Sequence, residues 1–358
     1  MTRFCAGFRK RRERMVGLEY ELLGVDRETG RAVPYAGGDA SVAHVLARLR
    51  DQFGWRQVGE GGGGSSYGAP RLADHARTGR ADVELSGRPH VRLADAEVEL
   101  RGFVRELREV STPLGIAWLA LGTQPITKPD ELAIIPKSRY RIMTSYLPRR
   151  GSLALWMMRC TAGAQVNLDV ESSGEAADML RLSLWISPVL TAMFANSPVS
   201  AGSPNGWMSR RARIWRETDP DRCGLPPRNL EPDGGVRDYA DWAMDAPMFF
   251  VDRDEDLVDM SGVSFRTFME VGARGQEPRI EDWDLHLTTV FPEVRLKSYL
   301  EFRSIDSNRL ELVMGFAALC AGIIYGGEAV HARLTGPLTG WSYDERIAFL
   351  EACAREGL

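Results

Sequence analysis

Glutamates, paired in one stretch and single in two others, stand on the polar side of three short alternating stretches of the chain, a pattern that can hold a divalent cation against phosphate. In Val16–Leu23 (VGLEYELL), alternation sends Val16, Leu18, Tyr20 and Leu22 to one face and Glu19 with Glu21 to the other. Ala81–Gly87 (ADVELSG) sets Asp82, Glu84 and Ser86 opposite Val83 and Leu85. Leu296–Arg303 (LKSYLEFR) is predicted as a single strand with Lys297, Tyr299, Glu301 and Arg303 on one face. A further stretch, Ala164–Val170 (AQVNLDV), carries Gln165, Asn167 and Asp169 opposite Val166 and Leu168.

If these strands share a sheet, one side packs on helices and the other lines an acidic, polar bowl, as an antiparallel sheet with one solvated face allows. Clustered carboxylates repel, and a cation relieves them. Oxygen-only ligands (Glu19, Glu21, Glu84, Glu301), without His or Cys, favour Mg²⁺ or Mn²⁺ over zinc. Mg²⁺ keeps waters and bridges to substrate phosphates, so the face points to a nucleotide. Arg303 shares that face with Glu301 and can neutralise phosphate oxygens during phosphoryl transfer. No Walker sequence is present to cradle the phosphates instead.

Helices must back this sheet. Val42, Val45, Leu46 and Leu49 share one helical face, as do Leu100, Phe103, Val104, Leu107 and Val110, with Pro113 closing the second helix. Residues 175–195 read as a long apolar helix kinked at Pro188, and Asp344–Arg355 as a last helix. Residues 1–14, with the run FRKRRER, read as a basic arm, and residues 15–358 as a single catalytic domain.

The chain has 358 residues and a net charge of −4, which gives no general attraction to nucleic acid or an anionic membrane. Of its 45 basic residues only four are lysines (Lys10, Lys128, Lys137, Lys297), a skew read first as genome composition. Five scattered cysteines without CxxC spacing argue against zinc and disulfides and for a reducing compartment. No signal-peptide core is present, and the longest apolar run, Gly315–Tyr325, is too short to span a bilayer, so a soluble cytoplasmic protein is expected. Gly64–Gly68 (GSSYG) fits the GxSxG nucleophile pattern, with His75, His90 and His286 downstream, but a glycine run stands where that motif needs a strand. His286 is expected in a strand-like segment with a structural role, and neither Cys160 nor Cys223 has a neighbouring base.

Longer motifs carry a resemblance. GSLALWMMRCTAGAQVNLDV (Gly151–Val170), ANSPVSAGSPNGWMSRRARIWRETDPDRCG (Ala195–Gly224) and HLTTVFPEVRLKSYLEFR (His286–Arg303), together with Ile134–Pro148 and Val83–Pro89, resemble the glutamate–cysteine ligases of the plant and proteobacterial type, including their ergothioneine-pathway branch. The resemblance implies an α+β, glutamine-synthetase-like fold: a curved, mainly antiparallel sheet forming a bowl with helices outside. It also implies the chemistry: ATP phosphorylates a carboxylate, glutamate's γ-carboxyl in the family, and an amine then displaces phosphate to leave an amide. Carried over by motif, Glu19, Glu21, Glu84 and Glu301 hold Mg²⁺ on the ATP phosphates, and Lys297 and Arg303 contact the nucleotide. Arg303, Glu301 and Arg211 are then catalytic, and Gln165, Asn167, Arg211, Arg222 and Phe249 bind substrate.

The sequence also departs from the family pattern. Thr78 stands where relatives have a further Glu, leaving Asp82 as a substitute ligand, and Phe249 replaces a Tyr expected near the amine. Ser304–Asn308 replaces a Gly-Ala-Asp-Gly-Gly stretch, and the chain ends at Leu358 before the additional helix of relatives. These changes point to an amine other than cysteine, or to another acid. The alternative is a catalytically inactive nucleotide- or amino-acid-binding relative.

Overall fold

A computed structural model describes residues 5, 7–8, 13–57, 67–68, 75–77, 82–133, 138–253 and 256–358. The main strands are β1 (Val16–Asp26), β2 (Asp82–Ser86), β3 (Ile116–Leu119), β4 (Gly163–Asp169), β5 (Val294–Leu296) and β6 (Tyr299–Asp306). The helices that matter for the site are α1 (Val42–Phe53), α2 (Leu93–Ser111), α3 (Ser173–Met193), α4 (Arg210–Arg216), α5 (Val236–Asp245), α6 (Phe265–Val271), α7 (Ile280–Leu287), α8 (Leu310–Ile324) and α9 (Tyr343–Glu356).

One open sheet runs in the order β5-β6-β4-β1-β2 and continues through the short strands His75–Arg77, Tyr67–Gly68 and Arg56–Gln57, while β3 pairs with the far end of β1. All of these pairings are antiparallel. Alternation along the strands is obeyed: Leu18, Tyr20, Leu22, Val83, Leu85, Val166, Leu168, Leu300 and Phe302 are all buried in one core. Helices α2, α3 and α8 pack on that apolar face. Helix α1 layers on α2, its Val42, Val45, Leu46 and Leu49 all buried as their spacing requires.

Helix α3 carries the proline at which a kink is expected, and two sequence readings change. Helix α3 runs through Pro188 to Met193 without a break. Proline removes the N–H that would bond the Leu184 carbonyl, and the Ser187 hydroxyl donates to that carbonyl instead at 3.0 Å. The segment 296–303 is a hairpin, not one strand: β5 pairs with β6 and the chain turns at Lys297–Ser298. His286 lies in helix α7 rather than in a strand. Its Nε2 donates to the Ala243 carbonyl at 2.7 Å, and its ring stacks on Phe265 at 4.9 Å. Thr78 and residues 64–66 of the GSSYG run lie outside the described residues. Among the described residues no single helix is long and apolar enough to cross a membrane.

Burial, with the nearby Arg222 charge, outweighs the bond to Ala243 and pushes the His286 imidazole down to about 4 from 6.5. The unfolded chain therefore binds a proton in this interval that the folded chain does not. Stability from His286 is full above pH 6.5 and is lost as pH falls toward 4. Chemical denaturation between pH 7 and 5 should show wild-type stability falling more steeply than that of His286→Gln, by up to about 1.4 kcal/mol per pH unit.

Candidate active site

The pairing register converts sequence alternation into rows of polar groups on the sheet's second face. Glu301 of β6 faces Arg295 of β5 on one side and Asn167 of β4 on the other. Glu19 of β1 faces Gln165 and Ser86, and Glu21 faces Glu84. Acids directly opposite each other on neighbouring strands repel.

Glu301 is fully buried and holds its charge against three cations. Both of its oxygens receive the Arg295 guanidinium, Nη2 to Oε1 at 2.7 Å and Nε to Oε2. Lys297 Nζ stands 3.4 Å and Arg303 Nη1 3.2 Å away. Burial alone would raise this carboxyl, but Arg295, Lys297 and Arg303 together hold it far below the usual range. Arg295, 7% exposed, is the residue that sequence reasoning missed. Its signal was its place two residues before Lys297 in the same motif, concealed because the hairpin was read as one strand.

Glu19 has the opposite environment. Burial first, then the charges of Glu301 and Glu84, push its carboxyl up to about 7, while Asn167 Nδ2 donates to it at 3.1 Å. Glu21 accepts from the Gly163 N–H, and the Ser86 hydroxyl donates to Glu84 at 2.9 Å. Among the described residues, no three His, Cys, Asp or Glu side chains stand together as a ready-made metal cluster. The chemistry of the set still fits a hard divalent cation: oxygen donors only, two facing acids, and a third whose carboxyl burial and acidic neighbours push up to about 7, a shift that a cation would relieve.

Glu19, Asn167, Asp169, Arg295, Lys297 and Tyr299 border one cleft of about 450 Å³. On the far side of Arg303 a narrow pocket is bordered by Arg211, Trp215, Phe291, Glu293, Arg303 and Ser304. Arg303 borders this pocket: it donates to Gln165 Oε1 at 2.5 Å, and its guanidinium lies 5.6 Å from the Trp215 ring. Arg211, on α4, is 3% exposed and donates one bond to the Arg303 carbonyl at 3.1 Å. Gly163 makes room for it, since a Cβ there would come within 2.5 Å of the guanidinium.

Two expected substrate contacts take other roles. Arg222 is fully buried, and its donors go to Asp219 (2.7 Å), the Thr289 carbonyl (3.0 Å) and the Pro247 carbonyl. It ties three loops together, each of its three nitrogens bonds within the protein, and it is closed off from the surface. Phe249, 1% exposed, lies beneath that guanidinium at 4.0 Å and against Tyr146 at 5.6 Å, within a second apolar cluster. Its missing hydroxyl therefore falls in a core. Lys297, expected on a strand, sits in the hairpin turn and still reaches the cleft.

The likeness to known proteins is consistent along the chain. It is 35% identical over 350 residues to glutamate–cysteine ligase B, chloroplastic, of Oryza sativa subsp. japonica, covering 97% of this chain and 69% of that one. It is 34% identical over 357 residues to the chloroplastic glutamate–cysteine ligase of Solanum lycopersicum, covering 99% and 67%. The fold matches the crystal structure of glutamate–cysteine ligase from Francisella tularensis in complex with AMP, with a TM-score of 0.53 over 98% of this chain and 72% of that one at 14% identity. Fold and relatives together define an ATP-dependent carbon–nitrogen ligase. The profile of glutamate–cysteine ligase family 2 matches residues 15–350, and the chain belongs to that family.

Removing Arg222 leaves the fully buried Asp219 carboxylate without its closest cation, with the partly exposed Arg150 guanidinium 3.6 Å away. Arg222→Ala should lower unfolding free energy by about 3–5 kcal/mol, read from the urea midpoint.

Proposed function

We propose that the protein joins the side-chain carboxylate of an amino acid, glutamate first, to an amine through an acyl phosphate, using ATP with Mg²⁺ or Mn²⁺. The observation that carries this reading is the cluster around Glu301: Arg295 and Lys297 border the cleft, and Arg303, paired with the same carboxylate, borders a pocket containing a second buried arginine. A nucleotide in the cleft and a carboxylate beside Arg303 would then be served by cations held on one carboxylate.

Glu19, Glu21 and Glu84 would hold the metal, and Glu301 would join them once it shares its charge with the ion as well as with Arg295. The ion, when bound, supplies charge neutralisation for the phosphate chain. Lys297 and Arg295 border the nucleotide side of the cleft, and their charges oppose those of the β- and γ-phosphates. A carboxylate oxygen attacks the γ-phosphorus, the bond to the bridging oxygen breaks, and ADP leaves with that electron pair. Arg303, held by Gln165 and Glu301, faces the charge spread over the transferring group. An amine nitrogen then attacks the acyl carbon, phosphate leaves, and the amine gives up a proton to solvent.

The departures around Phe249 first suggested an amine other than cysteine. With Phe249 in a core, that suggestion rests on the remaining departures, Ser304–Asn308 among them. The experiment is to supply ATP, Mg²⁺ and glutamate with a panel of amines, following ADP release and product mass. A γ-glutamyl product from any amine supports the reading, and the absence of ADP from every pair overturns it. Glu301→Gln keeps the shape but removes the charge that orders Arg295, Lys297 and Arg303. ADP release should fall by at least about 100-fold, with the fold retained by circular dichroism.

A further inference from the structure

We infer that a cavity between helices α5, α6 and α7 binds a small amphipathic organic acid, at a site sharing no lining residue with the nucleotide cleft. The cavity holds about 510 Å³, against about 450 Å³ for that cleft. Helical spacing builds it. Arg237, Ala240, Asp241 and Met244 form one stripe of α5, at steps of three and four residues. Phe265 and Met269 border it from α6, and Ile280 and Trp283 from α7. The floor is aromatic: Phe265 and Trp283 are buried, with their rings 5.1 Å apart. The apolar lining does not close over itself. Met269 is 52% and Ile280 48% exposed, both at the edge of this one concavity. A lone exposed apolar side chain is ordinary, but two around an aromatic floor, in a cavity of ligand size, leave a surface that an apolar body would cover.

Charge selects the rest of the ligand. Arg266 is already committed, since it pairs with Asp241 at 3.1 Å and with Asp245 at 2.7 Å. Arg237 and Arg279 are not: among the described residues neither guanidinium has a hydrogen bond or an ion pair. Glu270 is the one acid of the lining without a partner, so free positive charge exceeds free negative charge. The N–H groups of Gly235 and Arg279, at the caps of α5 and α7, are already bonded to Asp238 and Asp282. An incoming anion therefore meets guanidinium donors and not bare helix ends. A carboxylate on an apolar tail or ring meets both demands, with its body on Phe265, Trp283 and Met269 and its anionic group toward Arg237 and Arg279. A wholly polar anion would leave the apolar lining wet, and a neutral apolar molecule would leave the guanidiniums unused.

The test uses 8-anilinonaphthalene-1-sulfonate and N-phenyl-1-naphthylamine, which share their rings and differ by the sulfonate. Fluorescence titration of the full chain, with excess Mg²⁺ and ATP to occupy the cleft, should show one saturable site for each. Arg237→Gln combined with Arg279→Gln should weaken the sulfonate by at least about 10-fold and leave the neutral probe unchanged. Met269→Glu, which puts a charge on the apolar edge, should weaken both. These positions are exposed, so the variants should keep the fold. Decanoate should displace the sulfonate from wild type, and glutamate should not. Absence of a saturable site, or a sulfonate affinity unchanged in the double arginine variant, overturns the inference. Equal weakening of both probes by that variant also overturns it, because the arginines would then only shape the cavity. Sedimentation of the unliganded protein supplies the last outcome. A dimer dispersed by Met269→Glu would mean that a second copy of the chain covers this edge, and it overturns the small-acid reading.

Discussion

Glu301 carries a full charge in a place closed to water, and a desolvated carboxylate keeps that charge only where cations surround it. Arg295, Lys297 and Arg303 supply them from both arms of one hairpin and its turn. The geometry follows from pairing, since Arg295 faces Glu301 directly across β5 and β6. The consequence reaches the neighbouring strands. With Glu301 satisfied by arginines, Glu19 stays half-buried among acids and is pushed up to about 7. One hairpin thus divides the face into a cation-rich side and an acid-rich side, and a metal–nucleotide complex, with charges of both signs, suits that boundary.

The second space depends on helix α4. Arg211 projects from it past Gly163, where a glycine is needed because a side chain would occupy the guanidinium's position. The start of α4 is held from several directions. The Ser209 and Ser197 hydroxyls donate to Asp306 at 2.8 and 2.6 Å, and the Met208 and Ser209 N–H groups donate to carbonyls at the end of α9. The closing helix of the chain therefore supports a site residue although it lies outside the sheet. Arg222 does comparable work for the loops around Thr289 and Pro247, and the Phe249 ring beneath it fills space that a polar group would leave unsatisfied.

Much of this was legible along the chain. Alternation assigned the apolar and polar sides of β1, β2 and β4, because a strand side chain has only two directions to take. Glu19, Glu21, Glu84, Gln165, Asn167 and Arg303 follow from that rule, and motif order led to the family. Helical spacing found α1 and α2 for the same reason.

Tertiary structure decided what depends on which groups meet. A turn at Lys297 cannot be read from a segment whose residues all favour strand, so the pairing of Arg295 with Glu301 stayed hidden. An arginine's role depends on whether its donors are already used. Nothing local distinguishes Arg222, with its donors taken by protein carbonyls and Asp219, from Arg211, which keeps one without a partner. Glu293 reads in sequence as one more acid beside a proline. Only the folded chain shows it largely buried beside the unpaired donors of Arg211, Trp215 and Ser304, because desolvation is a property of all the surrounding elements at once. The sequence by itself determined which faces are polar and which reaction class they serve, and the folded structure decided which of those polar groups remain available to a ligand.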